Sequence, residues 1–92
     1  MSKTLNSAEK AALKQQAHSL QPVVMIGQNG LTDAVVKEVD ANLLAHELIK
    51  VRILGDDRDE RKQWSAQLCA QTNAQLVQSI GKILVLYRQN EQ

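Results

Sequence analysis

The stretch Val23-Val24-Met25-Ile26-Gly27-Gln28-Asn29-Gly30-Leu31 decides which fold the sequence predicts. Its first four residues form an unbroken apolar run, which is typical of a strand that is covered on both faces or lies centrally in a sheet. Two glycines three apart then permit a sharp turn, because glycine adopts a positive φ without steric cost. A following helix presents unpaired N–H groups and partial positive charge at its first turn. Strand, G-x-x-G and helix together therefore form a candidate phosphate clamp.

The same loop has a simpler interpretation as a connector. Asn-Gly is a common hairpin signal, and a G-x-x-G segment often only joins two elements. A hairpin is disfavoured here, because apolar residues recur at every fourth position from Leu31 to Leu43, which is helical spacing. The motif alone leaves phosphate binding and simple connection open.

Length and composition indicate one globular domain that spans 1–92, with an ordered core at about 5–88. The chain has 92 residues, of which 43% are hydrophobic and 23% charged, so there is room for one core only. A single cysteine, Cys69, excludes an internal disulfide and fits a reducing compartment. No apolar run is long enough to span a membrane, and no signal-peptide core follows Met1. We expect a cytoplasmic protein.

Net charge does not by itself indicate a nucleic-acid partner. Eleven Lys and Arg residues face ten Asp and Glu residues, which gives a formal charge of +1. Four of the acids are clustered at Asp56, Asp57, Asp59 and Glu60. The rest of the chain is therefore basic, and a positive face elsewhere on the molecule is expected.

The remaining segments predict an α/β (α+β) domain with the element order α-β-α-β-α-β-β. Helices are predicted at about 7–19, 32–46 and 58–72, and strands at about 23–26, 48–54, 75–80 and 83–88. Capping boxes are expected at Asn6 with Glu9 and at Asp57 with Glu60, and Asn73 is expected to end the third helix in a left-handed conformation. The pair after residue 80 fits a two-residue hairpin. This order predicts a four-stranded mixed sheet with helices packed against it.

Two groups of basic residues have the spacing of a shared surface. Lys10, Lys14 and His18 follow each other at intervals of four on the first helix, where they form either a solvated face or a second phosphate-contacting surface. Lys50 and Arg52 point to the same side of the second strand. That strand is either simply half exposed or contributes charge to a binding surface.

The third predicted helix carries both core and charged residues. Trp64 belongs to its apolar stripe, and Cys69 on the same stripe is interpreted as a small buried hydrophobe rather than a nucleophile. Arg58, Arg61 and Lys62 lie among acidic residues. Pairing with those acids is as reasonable for them as a role in binding.

Several ordered segments together are more specific than the loop. They are the leucine-containing first helix, Pro22-Val23-Val24, Ile26-Gly27-Gln28-Asn29-Gly30-Leu31-Thr32, Glu47-Leu48-Ile49-Lys50-Val51, Val77-Gln78-Ser79-Ile80-Gly81-Lys82 and Leu86-Tyr87-Arg88. With them, nearly the whole chain resembles the CRM domain family (chloroplast RNA splicing and ribosome maturation), and in particular its bacterial stand-alone YhbY-like members.

The resemblance implies an RNA-binding domain whose fold is similar to the C-terminal domain of bacterial translation initiation factor three and to KH domains, in which a GXXG loop clamps the nucleic-acid backbone. It implies association of bacterial members with precursors of the large ribosomal subunit, while plant relatives assist intron splicing. Many members carry Lys or Arg within the loop. Here both central positions are neutral, so backbone N–H groups and flanking cations are expected to contribute more of the binding. The implied RNA-binding residues are Gly27, Gln28, Asn29 and Gly30, with the basic neighbours Lys10, Lys14, Lys37, Lys50 and Arg52.

The leading hypothesis is thus a non-enzymatic, monomeric RNA-binding factor for assembly of the large subunit, with no cofactor, metal, membrane or small-molecule substrate. A module that reaches the ribosome through a ribosomal protein is the alternative, and the near-neutral net charge favours it. A nuclease or hydrolase has no support, because neither histidine has partners at catalytic spacing and no phosphate-binding G-x-x-x-x-G-K-[ST] motif is present.

Overall fold

The chain folds in the predicted order of three helices and four strands. The computed structural model describes residues 5–27 and 29–90. The elements are α1 (Ser7–Ala17), β1 (Pro22–Ile26), α2 (Asp33–His46), β2 (Leu48–Ile53), α3 (Arg58–Thr72), β3 (Gln75–Ile80) and β4 (Ile83–Tyr87). The α/β class is confirmed, and six of the seven elements have ends within about a residue of the predicted ones.

Side-chain caps fix the helix ends. The Asn6 carboxamide oxygen accepts from the Glu9 N–H at 2.7 Å while the Glu9 carboxylate accepts from the Asn6 N–H at 3.2 Å, which is the expected capping box. Thr32 caps α2 and Asp57 caps α3 through their side-chain oxygens. Asn73 ends α3 at φ 60° and ψ 24°, the left-handed conformation predicted for it.

The first helix ends earlier than predicted. It stops at Ala17 rather than at residue 19. The chain there tightens, because the His18 N–H donates to the Gln15 carbonyl and the Leu20 N–H to the Ala17 carbonyl. These bonds to the third residue back end the helix before Pro22 exerts any restriction.

The sheet is mixed, as predicted, with strand order β1-β2-β4-β3. β1 and β2 run parallel, and the other two pairs are antiparallel. Ile80 pairs with Ile83 across the two-residue turn Gly81-Lys82, and Gly81 has a φ of 56°. The predicted hairpin is thus confirmed.

Helices cover the two faces of the sheet unequally. α2 and α3 pack on one face over the main core, which comprises Val24, Ile26, Val39, Leu43, Ile49, Val51, Ile53, Leu68, Ala74, Leu84 and Leu86. α1 alone packs on the other face, over a smaller cluster of Leu5, Ala17, Leu48, Val77 and Val85. Leu48 begins β2 and the adjoining Tyr87 ends β4, so α1 crosses the end of the sheet that lies away from the glycine loop.

The prediction that β1 is covered on both faces or lies centrally is wrong. β1 is an edge strand in which Val24 and Ile26 are buried while Val23 and Met25 are exposed. A helix is about 10 Å wide, whereas a six-residue strand is roughly 20 Å long. One helix lying across this face therefore leaves the loop end of the strands uncovered, and an apolar residue such as Met25 faces solvent there.

The C-terminal segment ties the helices to the sheet. The Arg88 guanidinium donates to the Asp40 carboxylate, to the Asp40 carbonyl at 3.1 Å and to the Thr72 carbonyl at 2.9 Å. One side chain after β4 thus holds α2 and the end of α3 together, with the fork of donors that only arginine offers.

Candidate nucleic-acid interface

The glycine loop is a closed turn between β1 and α2. The Gly30 N–H donates to the Gly27 carbonyl at 3.0 Å, and the Thr32 N–H donates to the Gly30 carbonyl at 3.1 Å. Asn29 is exposed, whereas Gln28 lies outside the described residues. The turn delivers the chain directly to the Thr32 cap of α2.

Gly30 is required by the fold itself. It has a φ of 71°, and a Cβ added there would lie 3.0 Å from Cζ2, 3.2 Å from Cε2 and 3.3 Å from Nε1 of Trp64. The Trp64 indole of α3 packs against the main core, as predicted. The second glycine of the loop lies directly against this ring. A side chain at Gly30 would strain the backbone and displace the ring.

Gly27 has no such explanation. Its φ is not positive, and a Cβ added there would meet no described atom within 4 Å. The first glycine instead leaves open space beside the backbone at the end of β1. A ligand backbone has room to approach at this position.

The N-terminus of α2 is less suited to an anion than the sequence alone indicates. Thr32 already caps the Val35 N–H at 3.2 Å, and Asp33 places a carboxylate in the first turn. That carboxylate offsets the positive end of the helix dipole. Since the Gly30 N–H is also engaged, the described loop donors left for a phosphate are the N–H groups of Gly27 and of exposed Asn29.

One residue from each strand forms a row across the uncovered half of the sheet. Met25 pairs with Arg52, Arg52 pairs with Ile83, and Ile83 pairs with Ile80. All four belong to the face that carries α1, because side chains alternate along each strand. Met25 is 58% and Ile80 59% exposed. We call Met25, Arg52, Ile83 and Ile80 the cross-strand row; it starts two residues before Gly27.

A basic groove borders this row on the side of α1. It is lined by Lys14 of α1, by His18 directly after α1, by Lys50 of β2, and by Gln78 and Ile80 of β3. Its volume is about 160 Å³. Lys50 lies two residues before Arg52 and on the same face, so the groove and the cross-strand row form one continuous surface, which we call the open sheet face.

The structure therefore brings together three of the five predicted basic neighbours, namely Lys14, Lys50 and Arg52. Lys10 lies one turn earlier on α1 and does not line the groove. Lys37 projects from α2, which packs on the opposite face of the sheet. Sequence reasoning missed the exposed apolar side chains of the cross-strand row. Alternation along an edge strand was the available signal, and the continuous apolar run of β1 obscured it.

Cys69 is the one free cysteine among the described residues, and it is partly buried. Burial raises the pKa of the Cys69 thiol, which disfavours the nucleophilic thiolate. Within 5–27 and 29–90, no three His, Cys, Asp or Glu side chains are grouped so as to hold a metal ion. In the same ranges no helix is both long enough and apolar enough to cross a membrane.

Comparison with known proteins identifies the family. Residues 5–88 match the family described as the CRS1/YhbY (CRM) domain. The chain belongs to the CRM family. The resemblance noted in the sequence is thereby confirmed.

Relatives of this CRM domain are named as RNA-binding proteins. A Haemophilus influenzae protein named "RNA-binding protein" is 47% identical over 89 residues, which cover 97% of this chain and 90% of the relative. A Bacillus subtilis protein named "Probable RNA-binding protein" is 33% identical, with 96% and 92% covered. The solution structure of a hypothetical protein from Staphylococcus aureus has a TM-score of 0.84 and 34% identity, and covers 97% of this chain and 93% of that one.

Alanine substitutions of the two loop glycines are expected to have different effects on stability. Gly30→Ala is expected to lower the free energy of unfolding by ~1–3 kcal/mol, because it combines a positive φ with the contact to Trp64. Gly27→Ala is expected to leave stability unchanged or to raise it slightly, since the added methyl meets no atom and restricts the unfolded chain. Urea unfolding followed by Trp64 fluorescence measures both. Equal destabilisation by the two substitutions would contradict these assignments.

Proposed function

We propose that this CRM domain is a non-enzymatic RNA-binding protein that binds ribosomal RNA in precursors of the large subunit and assists their assembly. The observation that carries the proposal is the open sheet face. It gathers Lys14, Lys50 and Arg52 on one face of the sheet, and its cross-strand row begins at Met25, two residues before a glycine that leaves room for a ligand backbone. The names of the relatives support RNA as the partner.

Phosphate contacts dominate the proposed mechanism. The three cations of the open sheet face neutralise backbone phosphates and release counterions, which makes affinity fall as salt rises. The loop contributes close approach at Gly27 and the exposed backbone of Asn29. With Lys or Arg absent from the loop, most of the electrostatic attraction comes from the sheet and α1.

Sequence readout is expected to be weak. The chain has one Trp, one Tyr and no Phe. Trp64 is committed to the contact with Gly30, and Tyr87 packs on the cluster under α1. Bases therefore meet the aliphatic side chains of Met25 and Ile80 rather than aromatic rings, and lack the stacking that single-strand binders commonly use.

The large-subunit precursor is the proposed target because the resemblance to YhbY-like proteins implies it. A binder that holds RNA by its backbone with little base readout suits an assembly factor, because the folded particle then supplies the specificity through the shape of its RNA.

The open sheet face is tested by a salt titration. Lys50→Gln/Arg52→Gln is expected to bind large-subunit ribosomal RNA fragments more weakly and to lower the slope of log affinity against log salt by ~1.4–1.8, at roughly 0.7–0.9 for each of two lost phosphate contacts. Fluorescence anisotropy across a salt series measures the slope, and circular dichroism checks the fold. Lys50→Gln alone, which removes one charge, is expected to have a larger effect than Lys37→Gln on the opposite face.

An affinity that does not respond to salt in the native protein would contradict phosphate binding. A larger loss from Lys37→Gln than from Lys50→Gln would move the site from the sheet to the helix side of the loop.

A protein partner is the second candidate, because another groove, which we call the apolar groove, is lined mainly by apolar side chains. This groove of about 450 Å³ lies between the end of α1 and the edge strand β1, and is lined by Leu20, Val23, His46 and Leu48 among others. Ribonuclease treatment of native precursor particles separates the candidates. The RNA-binding proposal expects the protein to be released, whereas retention on the residual protein particle would favour recruitment by a ribosomal protein.

A further inference from the structure

We infer that a second basic groove, between α3 and the edge strand β3, binds backbone phosphates of the same RNA strand. The inference rests on the proposed RNA-binding function and adds a site on the opposite face of the sheet. Arg58, Arg61 and Lys62 of α3 line one wall, and Leu76 and Ser79 of β3 line the other. The groove has a volume of about 410 Å³. We call it the α3–β3 groove.

None of the three cations of this groove forms a salt bridge in the part of the chain that the structure describes. Pairing within the cluster was one reading of the sequence, but no described residue forms a salt bridge with Arg58 or Lys62. Asp56 is instead held by the Lys82 ammonium at 3.0 Å, which lowers the pKa of the Asp56 carboxyl, with a smaller contribution from Arg61. The salt-bridge partner of Asp56 is therefore a lysine in the turn between β3 and β4, and not a cation of α3.

The other three acids are also directed elsewhere. Asp57 caps α3 by accepting from the Asp59 N–H at 2.9 Å and the Glu60 N–H at 3.1 Å. Successive helical residues are about 100° apart. Positions 58, 61, 62 and 65 therefore share one stripe of α3, whereas Asp59 and Glu60 fall on other sides of the helix. The groove wall is cationic although the segment 56–62 has four acidic and three basic residues.

The position of Arg58 is not explained by helix stability. It is the first residue of α3, where the positive end of the helix dipole disfavours a cation. An exposed arginine there weakens the helix start slightly. Binding of an anion in the α3–β3 groove supplies a physical reason for a cation at this position.

The remaining groups of the groove suit a sugar–phosphate backbone. Arg61 is anchored by a 2.9 Å hydrogen bond from Nη1 to the Gly55 carbonyl, which orients its guanidinium. The hydroxyls of Ser65 and Ser79 offer further donors, and half-exposed Leu76 forms an apolar patch beside them. Arginine, lysine and hydroxyl groups are the side chains that contact phosphate and sugar.

The two surfaces are connected around one edge of the sheet. Ile80 ends the cross-strand row, and its neighbour Ser79 lines the α3–β3 groove on the other face. β3 is an edge strand, so no further strand separates the two surfaces. An RNA strand that leaves the loop along the row thus reaches the groove by turning around β3. The longest dimension of the molecule is 33 Å, which ~10 stacked nucleotides span at roughly 3.4 Å each.

The test compares four proteins on a 20-nucleotide single-stranded RNA. The groove variant is Arg58→Gln/Lys62→Gln, the sheet variant is Lys50→Gln/Arg52→Gln, and the native chain is the reference. The matched control, Gln63→Glu/Gln67→Glu, makes the same change in net charge on the outer side of α3, where both residues are exposed. Affinity and its salt slope are measured by anisotropy, and stability by urea unfolding.

The groove variant is expected to bind roughly fivefold to tenfold more weakly than the control and to lower the salt slope by ~1.4, about 0.7 for each phosphate contact to single-stranded RNA. It is expected to be at least as stable as the native chain, because Arg58 opposes the helix dipole. If the groove variant binds RNA as tightly as the control, the proposed site in the α3–β3 groove is overturned. If the sheet variant loses affinity in the same experiment, the proposed RNA-binding function is still supported.

The opposite pattern, a loss in the groove variant alone, would uphold the groove and contradict the proposed role of the sheet. Native protein whose RNA affinity ignores salt would overturn both. Polyglutamate that binds the native protein but not the groove variant, while both proteins bind the RNA equally well, would assign the groove to an acidic protein and overturn the RNA inference.

Discussion

The structure depends on one constraint, which is that three helices must cover both faces of a four-stranded sheet. Two of them seal the face that holds the larger cluster, and α1 alone covers the other. Because α1 crosses the strands at the end marked by Leu48 and Tyr87, the opposite end stays open. That end adjoins the glycine loop. Incomplete coverage of the sheet thus places cations and exposed aliphatic side chains where a polymer backbone can lie.

The two glycines of the loop have different roles, one in the fold and one in leaving space at the surface. Gly30 belongs to the core architecture, since its positive φ and the Trp64 ring leave no room for a side chain. This contact joins the loop to α3 and fixes the position of the turn between β1 and α2. Gly27 makes no such demand and opens space at the surface. A motif that looks symmetric in sequence therefore has one structural half and one half that is free to serve a ligand.

Local signals in the sequence were sufficient for most of the fold. Caps such as Asn6 and Asn73 and the turn at Gly81 act through their own backbone, so their effect is readable from a few neighbouring residues. β1 was misjudged because its apolar run depends on which helix covers each face, a tertiary property. A strand that is buried on both faces and a strand with an exposed methionine have the same local sequence pattern.

The candidate site was predictable only in part for the same reason. Lys50 and Arg52 share a face by strand alternation, which the sequence shows directly. That Lys14 lines a groove with Lys50, and that Lys37 lies on the other side of the sheet, depends on how α1 and α2 pack on opposite faces. The charge of the α3 stripe was hidden by acids next to it in sequence, because only the folded helix separates Arg58 and Lys62 from Asp59 and Glu60.

The central claim is that RNA lies on the open sheet face beside the glycine loop, and an amide chemical-shift titration of the ¹⁵N-labelled protein with single-stranded RNA tests it most directly. The account predicts that the largest shifts cluster at Gly27, Asn29, Lys50 and Arg52, with a second set on the α3–β3 groove. Shifts confined to the apolar groove around Leu20 and His46, with the loop and the sheet unaffected, would contradict it.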